Sequence, residues 1–326
     1  MRSLANMRKP LIGLGIAVIA IVILELFLPR FLTVGNLSNV LVQAALVAVA
    51  AFGVTIVLLT AGIDLSVGGV MSLTGVVVAV LITGGMPWPA AILIGVLLGL
   101  AIGTINGAAI AWLNLPPFIA TFGTSGIAAG LALYLADAYP IKAMPGGFVA
   151  LGNGGIARIP FLVIITAAIL VILEVVTRVT PWGINLRATG NAPAVAKVTG
   201  VPVRLTILSA YMASGTFAAC AGTLLAANLS TAGPLQGSPY TLTAIAACVI
   251  GGVDLFGGKG HLWAAAIGTI FLAALKNILN LIGVAPFTQN LVLGCLIILA
   301  VVATTRGPAL RAGLVHLIKP HAGGAA

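Results

Sequence analysis

Apolar residues run along this chain in long blocks, separated by short clusters of Gly, Pro and polar residues. A membrane-crossing helix needs about 20 mostly apolar residues. The blocks predict ten spans, at roughly 11–28, 38–60, 66–83, 88–113, 118–137, 160–178, 205–228, 240–252, 262–283 and 288–304. The eighth is short for a full crossing and reads as a broken or half-length helix. The third and fifth are candidates for partly re-entrant segments. The expected fold is all-α and polytopic, one transmembrane domain over 1–326 with no soluble domain. The longest loops fall at about 138–159 and 179–204.

Composition makes lipid the solvent. The chain is 61% hydrophobic and 6% charged, where a soluble domain carries about 25% charged residues. Gly and Pro inside the blocks suit helices better than a barrel. The net charge of +10 sits between the blocks, where it sets topology rather than binding nucleic acid. With both termini in the cytoplasm and ten crossings, Arg2, Arg8, Lys9, Arg178, Arg187, Lys197, Arg204, Lys259, Arg306, Arg311 and Lys319 lie inside. Only Arg30, Lys142 and Arg158 lie outside, as the positive-inside rule asks. The block Leu11 to Leu28 follows Arg2, Arg8 and Lys9 and lacks a small-residue cleavage site, so it reads as a first span and not as a signal peptide. Cys220, Cys248 and Cys295 fall in apolar blocks and form no disulfide framework or metal set.

One carboxylate stands out. LTAGIDLSVGG, residues 59–69, places Asp64 in the middle of apolar sequence. A charge at the bilayer centre costs about 2.5–3.5 kcal/mol on insertion scales, so a helix end is the expected location. Gly62 can interrupt the preceding helix, and Asp64 or Ser66 can cap the next, where the helix dipole favours a carboxylate. Gly68 and Gly69 let another backbone approach. Irregular backbone at membrane depth is tolerated inside protein or beside a water-filled cavity, so the break is also a candidate pathway element.

GGVDLFGGKG, residues 251–260, echoes it: Gly252-x-Asp254-Leu255 repeats Gly62-x-Asp64-Leu65, and Gly258 repeats Gly68. This suggests an internal repeat, with halves of about 30–160 and 161–305, parallel or inverted according to the spans between them. The ending Gly-Gly-Lys-Gly fails as a phosphate-binding loop, because no Gly stands five before Gly258 and no hydroxyl follows Lys259.

The loop RVTPWGINLRATGNAPAVAKVTGVPVR, residues 178–204, holds a candidate short helix capped by Asn191, with Pro193 in its first turn and Gly200 after its end. Such a segment is suited to docking on a partner. Several polar residues sit inside spans: Gln43, Thr55, Asn106, Thr121, Thr124, Ser125, Lys276, Asn277 and Asn280. Thr121, Thr124, Ser125, Asn277 and Asn280 are candidates for a pathway, and interhelical hydrogen bonding is the alternative. Glu25 and Glu174 are placed to pair with Arg30 and Arg178. His261, His316 and His321 fall in loops or the tail, and no residues converge as a catalytic or metal-binding set.

LTAGIDLSVGG at 59–69, PPFIATFG at 116–123, ATGNAPAVAKVTGV at 188–201 and TAIAACVIGGVDLFGGKG at 243–260 together resemble the sugar permease subunits of bacterial ABC importers, of the ribose, xylose, arabinose and galactose type. The likeness runs in order from about 30 to 305. It implies a homodimer in the bacterial inner membrane, a cytoplasmic ATPase subunit that carries ATP-Mg, and a periplasmic sugar-binding protein. The chain itself would hold no cofactor and make no covalent bond. The family's ATPase-coupling segment falls on Gly190, Asn191, Ala192, Pro193, Ala194, Ala196 and Lys197. Thr189 stands where that segment usually has Gly, and Ala192-Pro193-Ala194 follows Asn191 where an acidic residue and Ala-Ala are usual. The rival readings are a permease for a nucleoside or other small polar ligand, and an ion-coupled secondary transporter with Asp64 as its ion site.

Overall fold

The computed structural model describes residues 31–302 apart from 143, 297, 300 and 301. The expected first span and the Glu25–Arg30 pair lie outside these residues. Among the described residues, six helices are long and apolar enough to cross a membrane. They are α1 (Val34–Leu59), α3 (Trp88–Leu113), α4 (Pro117–Leu135), α6 (Phe161–Val179), α9 (Val203–Leu229) and α11 (Leu262–Leu281). Two further apolar helices are shorter: α2 (Val67–Thr83) and α10 (Tyr240–Gly251). At 1.5 Å per residue they reach about 26 and 18 Å, less than the roughly 30 Å of a bilayer core. The half-length reading of 240–252 therefore holds, while 66–83 falls only a little short of a full crossing. The chain is helical again over 286–296, inside the last expected span.

The connections hold more structure than the pattern showed. Residues 138–159 contain α5 (Gly146–Asn153) and the first strand of a two-stranded hairpin, β1 (Gly155–Ile156) with β2 (Ile159–Pro160). Residues 179–204 contain α7 (Pro181–Asn191) and α8 (Pro193–Val198). Neither α5 nor α7 announces itself by an apolar block, because each is half-exposed and short.

α1 is the centre. Its second half is buried all round, which its apolar sequence requires. α3 crosses α9 backbone to backbone. Gly99, Gly103 and Gly107 lie on one stripe of α3, and a Cβ on Gly103 would come within 3.0 Å of Met212 Cα on α9. Reciprocally, a Cβ on Gly215 would come within 2.9 Å of Gly103 Cα. In lipid no hydrophobic drive brings helices together, so close contact of small residues supplies the attraction. Asn36 on α1 and Asn277 on α11 exchange two amide hydrogen bonds of 2.8 Å. Glu174 at the end of α6 pairs with Arg178, as expected, and also accepts the Leu262 amide at 3.0 Å, which ties α6 to the start of α11.

Candidate functional site

α1 ends in a Schellman motif. The Gly62 amide donates to Val57 O at 3.2 Å and the Ala61 amide to Leu58 O at 2.9 Å. The left-handed residue is Ala61, at φ +60, not the neighbouring glycine. Gly62 is needed for a different reason: a Cβ there would lie 2.6 Å from the Tyr211 hydroxyl. That hydroxyl donates to Ile63 O at 3.2 Å.

Asp64 follows, 2% exposed. Its Oδ1 accepts the Ser66 amide at 2.8 Å and the Ser66 hydroxyl at 2.6 Å. Its Oδ2 accepts the Ser214 hydroxyl, on α9, at 2.6 Å. A directed chain runs on from Ser66. The Asn106 amide on α3 donates to Ser66 Oγ at 3.0 Å, and the Thr124 hydroxyl on α4 donates to Asn106 Oδ1 at 2.6 Å. Thr121, one turn before Thr124, accepts the Leu65 amide at 3.0 Å. α3, α4 and α9 thus meet on the break between α1 and α2. A buried polar group costs free energy until it is paired, and here both carboxylate oxygens are paired. Ser66 occupies the N-cap position of α2 but makes no cap bond with its side chain. Its hydroxyl is committed to Asp64, which corrects the expectation that it caps. Sequence reasoning gave no role to Ser214 or Tyr211, since a lone Ser or Tyr in an Ala-rich helix carries no signal of its own.

Gly68 and Gly69 are contact points. Gly69 lies against Ser125 of α4, where a Cβ would come 2.5 Å from Ser125 O. Gly68 faces the start of α10. Its amide donates to Thr241 Oγ1 at 2.9 Å, and the Gly237 amide donates to Ser72 Oγ at 2.9 Å. The two bonds are reciprocal, a Gly amide to a hydroxyl four residues beyond the opposing Gly. GGVMSLTG at 68–75 and GSPYTLTA at 237–244 carry the pattern.

The second glycine–aspartate motif is related more locally. α10 also ends in a Schellman motif, with Gly252 at φ +96 and the Val253 amide on Cys248 O at 2.9 Å. Asp254 Oδ1 accepts the Phe256 amide at 2.9 Å, as Asp64 accepts that of Ser66. The left-handed residue comes three positions before Asp64 and two before Asp254, and no helix starts directly after Asp254.

The segment at 190–197 closes the junction. Asn191 does not cap a helix. It is the last residue of α7, and the joint is Ala192, whose φ of −159 and ψ of 88 are extended. Pro193 forces this, because its ring disfavours helical backbone in the residue before it. Gly200, at φ +88, does end α8. The Asn191 amide group instead lies over Gly258, where a Cβ would come 2.7 Å from Nδ2. The Gly258 amide donates to Leu59 O at 3.1 Å, and a Cβ on Gly190 would overlap that same carbonyl. Gly257 presses on Ala61. Thus the first motif, the second motif and the 190–191 corner, remote in sequence, share one contact. Ala196 is buried, while Ala194 and Lys197 are exposed. Thr189 is fully buried with its hydroxyl unpaired. Asn277 and Asn280 lie elsewhere, bonded to Asn36 and Gln289. Among the described residues no cluster of His, Cys, Asp or Glu could hold a metal.

Long apolar helices, two shorter helices joined at their starts, and a paired carboxyl at a helix break are the features of a polytopic membrane permease. Residues 36–301 match the family described as branched-chain amino acid transport system / permease component, and the chain belongs to that family. It is 39% identical over 294 residues to the ribose import permease protein RbsC of Bacillus subtilis (strain 168), covering 90% of each chain. It is 37% identical over 272 residues to the D-allose transport system permease protein AlsC of Escherichia coli (strain K12), covering 83% of each. It is 38% identical over 312 residues to the galactose/methyl galactoside import permease protein MglC of that strain, covering 88% of this chain and 92% of the relative. No solved structure matches the chain. As a permease component it is a multi-pass membrane transport subunit and not an enzyme.

Proposed function

We propose that this chain is the membrane subunit of an ABC importer that carries a monosaccharide from periplasm to cytoplasm. It works as a homodimer in the inner membrane, with ten spans and both termini cytoplasmic. A separate ATPase subunit holds ATP-Mg, and a periplasmic binding protein delivers the sugar. The carrying observation is the shared contact of Gly190–Asn191 with Leu59 and Gly258. A push on the 190–197 segment bears directly on the end of α1, five residues before Asp64. The curated relatives support a sugar as cargo, since their names specify ribose, D-allose and galactose.

Within the two halves, about 30–160 and 161–305, we read the stretches of about 34–133 and 203–302 as inverted repeats. The reciprocal Gly68–Thr241 and Gly237–Ser72 bonds support this, because Gly237 lies 169 residues after Gly68 and Thr241 169 after Ser72, so the two bonds join the same pair of positions with the halves exchanged. The same shift carries Val34, the first residue of α1, to Val203, the first of α9. It also carries Pro117-Phe118 to Pro286-Phe287, and left-handed Asn114 to left-handed Gly283. This register replaces that of the glycine–aspartate echo, whose likeness is confined to a helix end and one turn.

The test is reconstitution. In liposomes holding the chain, its ATPase and its binding protein, uptake of labelled D-ribose, D-allose or D-galactose is expected to require all three and ATP. Transport by the chain alone, driven by Na⁺ or H⁺, overturns the proposal. A second reading, a different small polar cargo, is favoured by the family description itself, which names amino acids. A competing panel of nucleosides and branched-chain amino acids decides between them.

A further inference from the structure

A separate cavity of about 250 Å³ lies between α1, α10 and α11. It opens beside Tyr240, the first residue of α10 and the neighbour of the Thr241 brace. Gln43, Tyr240, Thr243 and Lys276 contribute its polar lining. Val47 and Leu272 give it an apolar wall. Lys276 is fourteen residues into α11 and Gln43 nine into α1, so both belong to helices that cross the membrane.

The polar groups here are unspent. Elsewhere the buried polar residues of these helices bond one another, as Asn36 does with Asn277. Gln43 is exposed and Tyr240 and Lys276 are half-buried, and their side chains make no hydrogen bond or ion pair with any described residue. Thr243 donates to Pro239 O at 2.9 Å and keeps its acceptor capacity. Ionisable and polar groups in a span are costly and need partners. Three side chains that share one cavity and lack partners among the described residues point to a bound polar species.

The lining identifies its class. Lys276 offers three donors, Gln43 two donors and an acceptor, Tyr240 one of each, and Thr243 an acceptor. An anion would use the donors and leave the acceptors unpaired. A polyhydroxyl compound uses both, since every hydroxyl donates and accepts. Its ring carbons would meet Val47 and Leu272. The position, at the start of a half-length helix where two halves meet, is where transporters place substrate.

We propose that this cavity is a transient site for a neutral polyhydroxyl ligand during transport, with Gln43, Tyr240 and Lys276 as its contacts. This rests on the reading of the chain as a sugar permease. Two measurements test it. In a chain with Cys220, Cys248 and Cys295 changed to alanine, Thr243→Cys is exposed to a small hydrophilic thiosulfonate in nanodiscs. The thiol is expected to react, and D-ribose at high concentration to slow it severalfold, while acetate or inorganic phosphate does not. A thiol that never reacts, or one protected only by the anions, overturns the site. In the reconstituted complex, Gln43→Leu and Lys276→Met are expected to lower sugar uptake at least tenfold, and Lys276→Arg to retain most of it. If the wild-type complex takes up no sugar, the permease reading fails. If it does and neither substitution lowers uptake, the cavity assignment fails alone.

Discussion

The amide of Gly68 donates to the hydroxyl of Thr241 at 2.9 Å, joining the first turn of α2 to the first turn of α10. The contact leaves no room for a methyl group. A Cβ on Gly68 would overlap Thr241 Oγ1 and stand 2.7 Å from Gly237 O. Both helices are pinned by their packing, so neither gives way freely. Gly68→Ala is expected to cost about 1–3 kcal/mol, the usual range for overpacking. Thermal unfolding in detergent checks it, with Gly123→Ala as control, since Gly123 has open space around it.

Ser214→Ala removes the one partner that Asp64 Oδ2 has among the described residues. Leaving a buried acceptor unpaired costs about 1–3 kcal/mol. A double-mutant cycle with Asp64→Ala separates the pair from the single losses, and a coupling of at least about 0.5 kcal/mol is expected for groups in contact. The same cycle on Thr124 and Ser66, joined only through Asn106, is expected to give a smaller value.

Ala61 sits at φ +60, where a Cβ is strained. Ala61→Gly removes that strain at the end of α1 and is expected to stabilise by up to about 1 kcal/mol. Its methyl also meets Gly257, so the gain in melting temperature is expected alongside a looser contact with the second motif. Hydrogen exchange at the Gly258 amide reads that loosening.

Thr189 is fully buried and its hydroxyl bonds nothing. Thr189→Val keeps the shape and removes the unpaired group, so stability is expected to be unchanged or raised by about 1 kcal/mol. Thr189→Gly is expected to destabilise by emptying the same space. Paired melting curves distinguish the two.

Asn36 and Asn277 each lose a partner if the other is replaced. Either single change to Leu is expected to cost about 1–2 kcal/mol, the scale of model interhelical hydrogen bonds in membranes. The Leu–Leu double change is expected to recover much of it, because no polar group is then stranded. An unshifted, monodisperse peak on size exclusion in detergent checks that the fold survives.

Length and apolarity alone were enough to place the six long helices and the two shorter ones, because a bilayer demands a fixed run of apolar residues. They were also enough to mark Asp64 as a helix break and Gly200 as a helix end. The same logic missed α5 and α7, which lie where no such run is needed. It assigned Asn191 a local cap, whereas the Asn191 side chain packs against Gly258, which lies 67 residues further along.

The sequence by itself determined that the chain lives in lipid, where its helices run and that Asp64 must be satisfied. Tertiary structure alone decided by what. The carboxyl takes Ser214 from α9, and Gly68 faces Gly237 in place of the motif that most resembles its own. Hydrogen bonds and close backbone contacts form between groups brought near by packing, and a local pattern of residue types carries no record of which distant segment supplies the partner.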